Sequence, residues 1–351
     1  MSPVIDRSNV VRSKSALSKR QPPRPPIRWG ICGTGKMAST IAAELAALQD
    51  VGAQLCAVGS RNVEAARKFA KRHGIERAHG SYADLARDPE IDVVYIATPP
   101  SLHCENTLAC IESRKAVLCE KPFALNAAET LQMIRAARER GVFLMEAMWT
   151  RFLPAIAAAR ALVAGGSLGP IRLVSGGGAF IPEFDPSAAL FNRDLGGGVL
   201  LDAGVYLVSL ASMLLGTPSE VVARGNLGRS GVDEQEAVLL QQPDGAQALL
   251  YISLATRRLP DMEIMGESGQ VRIGAPVFRP TRLSITQRDE PMAVVEYPIE
   301  GTGYRGELLE VMSALAAGRK ESVVMSLNES LSIMKTLDSI RAAIGLVYPG
   351  E

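Results

Sequence analysis

The chain has 351 residues, 47% of them hydrophobic and 21% charged, with 38 Lys and Arg against 37 Asp and Glu. That composition is globular and excludes a disordered or fibrous chain. A formal charge of +1 gives no overall electrostatic reason for binding nucleic acid or an anionic membrane. The length falls between one large domain and two or three ordinary ones.

Charge segregates only at the N-terminus, where residues 1–28 hold seven basic residues and one acidic residue, leaving the remainder net acidic. The stretch is rich in Ser, ends in the Pro-punctuated run 21–26, and lacks the apolar core of a secretory signal. Residues 1–26 therefore read as a flexible basic arm; an arm that wraps a partner subunit or a phosphate ligand is the alternative. From Ile27 to Met148, β-like runs (Ile27–Cys32, Ala53–Val58, Val93–Ala97, Ala116–Cys119, Val142–Met145) alternate with helical patterns near Met37–Leu48, Val63–Arg72, Cys104–Ser113 and Ala127–Arg140. Such alternation predicts βαβ units and a parallel sheet covered on both faces. Five cysteines (Cys32, Cys56, Cys104, Cys110, Cys119) all fall in this region and form no CxxC pair. They read as reduced, mostly buried thiols of a cytoplasmic protein.

After Trp149 the pattern changes. A helix over Ala155–Val163 is followed by β-like runs including Ile171–Ser175, Ala237–Gln241, Ala246–Leu254 and Gln270–Ile273, with no second βαβ alternation. This predicts a second domain, residues 149–351, on a mostly antiparallel sheet. The apolar stretch Val199–Leu215 is interrupted by Asp202 and Gly204, falls short of a bilayer span, and reads as a buried helix. Two helices close the chain, near Arg305–Ala317 and Leu327–Ile344, the last opening on a Ser326…Glu329 capping-box spacing.

Gly33-Thr34-Gly35-Lys36-Met37-Ala38 is a GxGxxA run between the first strand and the first helix. Glycines there allow a tight turn and close backbone approach, and helix N-terminal amides meet a pyrophosphate. An NAD site would place Asp or Glu at the end of the next strand, but this chain has Ser60-Arg61. Arg61 can pair with a 2′-phosphate and Ser60 can donate to it, so NADP is the expected cofactor of the 27–148 domain. A solvated first residue of the next helix is the other reading of Arg61.

Glu120-Lys121-Pro122 lies at the C-terminal end of a candidate parallel strand, where open α/β sheets bind ligands. Surface ion pairing is the alternative for this charged pair. Together, Gly33–Ala38, Thr98-Pro99-Pro100 with His103, and Glu120-Lys121-Pro122 resemble the Gfo/Idh/MocA oxidoreductase family. Met145–Phe152, Gly196-Gly197-Gly198 followed by Leu201–Tyr206, and Gly303-Tyr304 point to its dihydrodiol and NADP-dependent D-xylose dehydrogenase branch. The resemblance implies a Rossmann domain followed by an α/β domain whose open, mostly antiparallel sheet faces the nicotinamide and supports a homodimer or larger homo-oligomer. It implies Lys121 and Tyr206 as the catalytic pair with Asp202 beside them. It implies Gly33, Thr34, Gly35, Lys36, Met37, Ser60, Arg61, Thr98, Pro99, His103, Glu120, Lys121, Trp149 and Arg151 around the cofactor. Trp149 and Phe180 become walls of the substrate site, with Tyr206.

A phenol near its ordinary pKa of about 10 is a poor base at neutral pH, and a neighbouring Lys121 ammonium is expected to lower it. Asp202 and Tyr206, four apart, share one face if their segment is helical. Without the resemblance, Tyr206 reads as a core residue, Asp202 as a helix cap and Trp149 as a domain-interface anchor. The three histidines form no metal-ligand cluster, and no metal is expected. Many relatives are expected to carry Arg shortly before Leu190-Phe191; this chain has Pro186-Ser187-Ala188-Ala189 there. The expected function is NADP-dependent hydride transfer on a small polyhydroxylated or cyclic alcohol or carbonyl, an aldose or trans-dihydrodiol. NADP that stays bound and cycles between two substrates is a variant of it, and a non-catalytic NADP-binding regulatory protein is the alternative.

Overall fold

The computed structural model describes residues 26–288 and 290–351; the basic arm proposed for residues 1–26 lies outside them apart from Pro26. Its first unit runs β1 (Ile27–Cys32), α1 (Lys36–Ala46), β2 (Ala53–Gly59), α2 (Val63–His73), β3 (Arg77–His79), α3 (Tyr82–Arg87), β4 (Val93–Ile96), α4 (His103–Glu112), β5 (Ala116–Glu120), α5 (Ala127–Arg140) and β6 (Leu144–Ala147). The six strands are parallel in the order β3-β2-β1-β4-β5-β6. β4, β5 and β6 are buried along their whole length, as continuous apolar runs between two helical layers must be. The strand order reverses between β1 and β4, so a crevice opens beyond their C-terminal ends.

Sequence periodicity missed β3 and α3. β3 is only three residues, Arg77-Ala78-His79, and polar contacts hold it. Arg77 Nε and His79 Nε2 lie 2.8 and 2.9 Å from the same Asp88 Oδ2. The last strand of this sheet lies two residues later than expected, because the Val142 N–H still closes back on the Ala137 carbonyl at the end of α5.

The second unit contains α6 (Pro154–Ala164), β7 (Ile171–Ala179), α7 (Val205–Leu215), β8 (Glu220–Leu227), β9 (Asp233–Gln241), β10 (Gln247–Ser253), β11 (Arg258–Gly266), β12 (Gly269–Ile273), β13 (Arg282–Gln287), β14 (Ala293–Glu296), α8 (Arg305–Ala316) and α9 (Leu327–Ile344). Its eight strands lie in the order β14-β13-β12-β11-β7-β10-β9-β8, antiparallel throughout except where β7 meets β10. Side chains alternate between a buried and an exposed face, clearly so in β9 and β10. α6, α7 and α9 pack on the sheet, and α7 is buried through Val205, Leu207, Leu210 and Leu214. α9 also packs against α5 and β6, so the two units share one apolar core.

The Ser326 spacing yields a half-formed capping box. Ser326 Oγ accepts the Glu329 N–H at 3.3 Å, but the Glu329 carboxylate turns away to Arg151 Nη1 at 2.7 Å. A buried guanidinium outcompetes a terminal amide for that carboxylate.

Candidate active site

The site is built where β1, β4 and β5 end. Gly33 turns the chain at φ +115°, and a Cβ there would stand 2.8 Å from the Ala97 carbonyl oxygen of the neighbouring strand end. Gly35 opens α1 with no side-chain cap on its amides, and a Cβ on it would meet open space. Thr34, Gly35, Lys36 and Met37 are exposed or half-buried around this helix start. At the end of β2, Ser60 is buried with its Oγ 3.3 Å from the Asn62 N–H, while Arg61 is exposed.

β5 delivers Glu120 and Lys121, and the Lys121-Pro122 peptide is cis. Lys121 Nζ donates to the backbone carbonyl of Asp202 at 2.6 Å and lies 3.4 Å from Asp202 Oδ1. It also sits 4.9 Å from the centre of the Tyr206 ring. Tyr206 Oη accepts the Trp149 Nε1–H at 3.0 Å. Trp149 in turn stacks on Tyr304, ring centres 4.5 Å apart, and Tyr304 Oη reaches Met37 Sδ at 3.8 Å. One connected group thus links α1 and β5 of the first unit to α7 and the start of α8 in the second.

Asp202 and Tyr206 do not lie on one regular helix. Residues Leu200–Gly204 form a π turn that precedes α7, and Asp202 sits in it. The electrostatics also depart from expectation. Burial raises the Tyr206 phenol above its ordinary range, and this outweighs the lowering by the Lys121 cation. Burial by itself would lower Lys121, but the acidic groups beside it, Asp202 and Glu120, hold it above its ordinary value. Tyr206 is therefore a neutral phenol and Lys121 an ammonium.

Profile comparison matches residues 27–148 to the oxidoreductase family with NAD-binding Rossmann fold, and residues 156–272 to the GFO/IDH/MocA C-terminal domain. The chain belongs to the Gfo/Idh/MocA oxidoreductase family. It is 36% identical to the trans-1,2-dihydrobenzene-1,2-diol dehydrogenase of Sus scrofa over 337 residues, covering 93% of this chain and 99% of that one. The enzyme of the same name from Homo sapiens is also 36% identical, over 332 residues, 93% of this chain and 99% of its own. Among solved structures, an aldose-aldose oxidoreductase from Caulobacter crescentus complexed with glycerol superposes with a TM-score of 0.82 at 27% identity, covering 91% of this chain and 97% of its own. A 3-ketoreductase from Actinomadura kijaniata with NADP and TDP-benzene gives 0.80 at 26%, covering 91% and 98%.

The oxidoreductase has a cradle that fits a dinucleotide. Its glycine turn, the α1 amides left without a side-chain cap and the open space beside Gly35 suit a pyrophosphate. Three side chains expected at the cofactor are hydrogen-bonded within the protein. Arg151 is fully buried, with Nε and Nη2 on Ser209 and Nη1 on Glu329. His103 is fully buried between the carbonyls of Pro122 and Thr98, each 2.8 Å from a ring nitrogen. The Glu120 carboxylate accepts the Tyr95 hydroxyl and, at 3.1 Å, the Lys121 N–H. Each is satisfied by protein partners, as a buried polar group must be.

Thr98 and Pro99 remain at the edge of the crevice, with Thr98 Oγ1 accepting from Asn106. Phe180 stands at the end of β7 and is 36% exposed. The phenyl ring against Tyr206 is Phe278, with centres 5.9 Å apart. Sequence reasoning missed Phe278 and the Tyr304 stack; Gly303-Tyr304 was the available signal for the second, and Phe278 had none.

Proposed function

We propose that this oxidoreductase uses NADP and acts on a small polyhydroxylated or cyclic alcohol or carbonyl, of the aldose or trans-dihydrodiol kind. The observation that carries this reading is the meeting of the Lys121 ammonium, the neutral Tyr206 phenol and the Trp149 indole beside the dinucleotide crevice. The names of the relatives, which concern diols and aldoses, support the substrate class. The choice of NADP rests on Arg61 and Ser60 where a ribose-binding carboxylate would otherwise stand. The amides of Gly33 to Met37, with Ser60, Arg61, Thr98 and Pro99, would hold the cofactor, which when bound supplies the hydride acceptor or donor.

The protein's part is the proton. Trp149 occupies a lone pair of Tyr206 Oη, so the phenolic hydrogen is free to point at a substrate oxygen. Lys121 keeps one of its three N–H groups after those aimed at the carbonyl and carboxylate of Asp202, and that donor can hold the same oxygen. In carbonyl reduction, Tyr206 Oη gives its proton to the substrate oxygen while Lys121 stabilises the charge building there. Alcohol oxidation runs the transfer in reverse and needs the phenolate.

The raised phenol sets a sign. Oxidation is expected to rise about tenfold per pH unit from pH 7 to 9, while reduction stays nearly flat, because only the first needs deprotonated Tyr206. A pH profile of kcat/KM in both directions checks this; a flat oxidation limb would remove Tyr206 as the base. The function itself is tested by following NADPH oxidation and NADP reduction across a panel of sugars, dihydrodiols and dicarbonyls. Tight NADPH binding with no turnover on the whole panel would support a nucleotide-sensing role instead.

The assembly we propose is a homo-oligomer through the open face of the second sheet. Val222, Leu239 and Leu249 are consecutive cross-strand neighbours there, and Val222 and Leu249 are 43% and 44% exposed. An apolar row on an uncovered sheet face suits a second copy of the same surface. Leu249→Lys is expected to yield a monomer by light scattering after size exclusion; an unchanged mass would exclude this face. The five free, buried thiols support a reducing, cytoplasmic location, which localising a tagged copy of the chain would test.

A further inference from the structure

The π turn Leu200–Gly204 carries Asp202, and Asp202 anchors Lys121 through its backbone carbonyl. In this turn the Val205 N–H reaches back five residues to the Leu200 carbonyl. A π turn is a rare, local widening of a helix, so other contacts must hold it open. One does so directly. Asp233, at the start of β9, is fully buried, and its Oδ2 accepts the Leu200 N–H at 2.6 Å. That N–H belongs to the first residue of the turn, where helical amides lack an intrahelical partner.

The triple glycine has a physical purpose in this arrangement. Gly198 has φ +119°, and a Cβ on it would fall 1.9 Å from Asp233 Oδ1, so any side chain would drive the carboxylate off the turn. Just before it, the Gly197 carbonyl accepts the Tyr348 hydroxyl at 2.6 Å, fixing the approach to the turn from the chain's C-terminal end. Glu236, three residues further along β9, is buried beside Asp233.

We propose that Asp233 is a positioning residue for the reaction: by holding the Leu200 amide it keeps the Leu200–Gly204 turn wide, and the wide turn presents the Asp202 carbonyl that aims Lys121 Nζ. The inference rests on the reading of Lys121 as a proton-transfer partner. It explains why a carboxylate that never meets the substrate is buried next to the loop of glycines. Loss of the Leu200 contact lets the turn relax toward α geometry and moves the Lys121 acceptor.

The test compares Asp233→Val, which lacks the acceptor, with Asp233→Asn, whose amide oxygen still accepts the Leu200 N–H. Both are made in the full chain. Asp233→Val is expected to lower kcat about 10²-fold, the scale of a misplacement near 1 Å, and Asp233→Asn to stay within about threefold of the parent. NADPH affinity, read by fluorescence titration, is expected to be unchanged in both, because the crevice lies in the other unit. A crystal structure of Asp233→Val is expected to show Lys121 Nζ away from the Asp202 carbonyl.

Unchanged kcat in Asp233→Val, or an equal loss in Asp233→Asn, would overturn the proposal. If Asp233→Val does not fold, Asp233→Ser, too short to reach Leu200, takes its place with the same expected outcomes. A parent protein inactive on every substrate would defeat the functional reading alone. The variant's crystal structure then decides this proposal, which fails if Lys121 still lies on the Asp202 carbonyl.

Discussion

Lys121→Met is expected to lower turnover by about 10³-fold in both directions while NADPH affinity stays within about twofold, because the side chain acts on the proton and the substrate oxygen. Methionine keeps the length and the apolar stem but removes the charge. In the structure that charge lies beside the Asp202 carbonyl at 2.6 Å, the Asp202 carboxylate at 3.4 Å, the Tyr206 ring at 4.9 Å from its centre, and Glu120. None belongs to the glycine turn that would hold the dinucleotide, which is why binding and turnover should separate. Removing the cation also takes away the larger of the two influences that oppose burial at the Tyr206 phenol, leaving only the Trp149 hydrogen bond, so any residual oxidation should need a still higher pH. Single-turnover rates with NADPH, together with a binding titration, measure both halves. Parent-like turnover in Lys121→Met would take the proton chemistry away from this residue.

The second large effect concerns cofactor choice. Arg61→Asp is expected to weaken NADPH binding by about 10²-fold and to leave NADH binding equal or tighter, which inverts the preference. Arg61 stands exposed past the end of β2, the position from which a side chain reaches the ribose of a dinucleotide on this fold. The substitution removes a charge-assisted pair with a 2′-phosphate and adds a repelling carboxylate. The same carboxylate suits a free 2′-hydroxyl. Paired titrations with NADPH and NADH measure the ratio, and an unchanged ratio would show that selection lies elsewhere. Raised salt should narrow the NADPH advantage, since an exposed ion pair is screened.

Much of the first unit was legible because its signals are local. Buried parallel strands need continuous apolar runs, and Val93–Ile96 supplies one, while Ile27–Cys32 is buried from Trp29 onward. The glycine turn is legible for the same reason: the φ +115° of Gly33 demands a residue type, and that residue is printed in the chain. Where local signals are thin the reading failed. β3 is held by an aspartate eleven and nine residues downstream, a contact that no periodicity encodes. Glu329 looked like half of a capping box and became the partner of a buried arginine 178 residues earlier in the chain, because only folding brings Arg151 to it.

The candidate site divides along the same line. By itself the sequence determined which groups are available: a glycine run, Arg61 in place of a carboxylate, and, through the family resemblance, Lys121 and Tyr206 as candidates for the proton chemistry. It could not determine what those groups do in place. Lys121 meets Asp202 across 81 residues, Tyr206 meets Trp149 across 57, and Tyr304 meets Met37 across 267. The tertiary structure decided that the lysine is held by a main-chain carbonyl in a π turn, that Arg151, His103 and Glu120 are hydrogen-bonded within the protein, and that burial raises the phenol above its ordinary range. The reason is physical. A residue's type fixes which hydrogen bonds and charges it can offer, but the cost of leaving water and the partners that repay it exist only once the chain has packed around it.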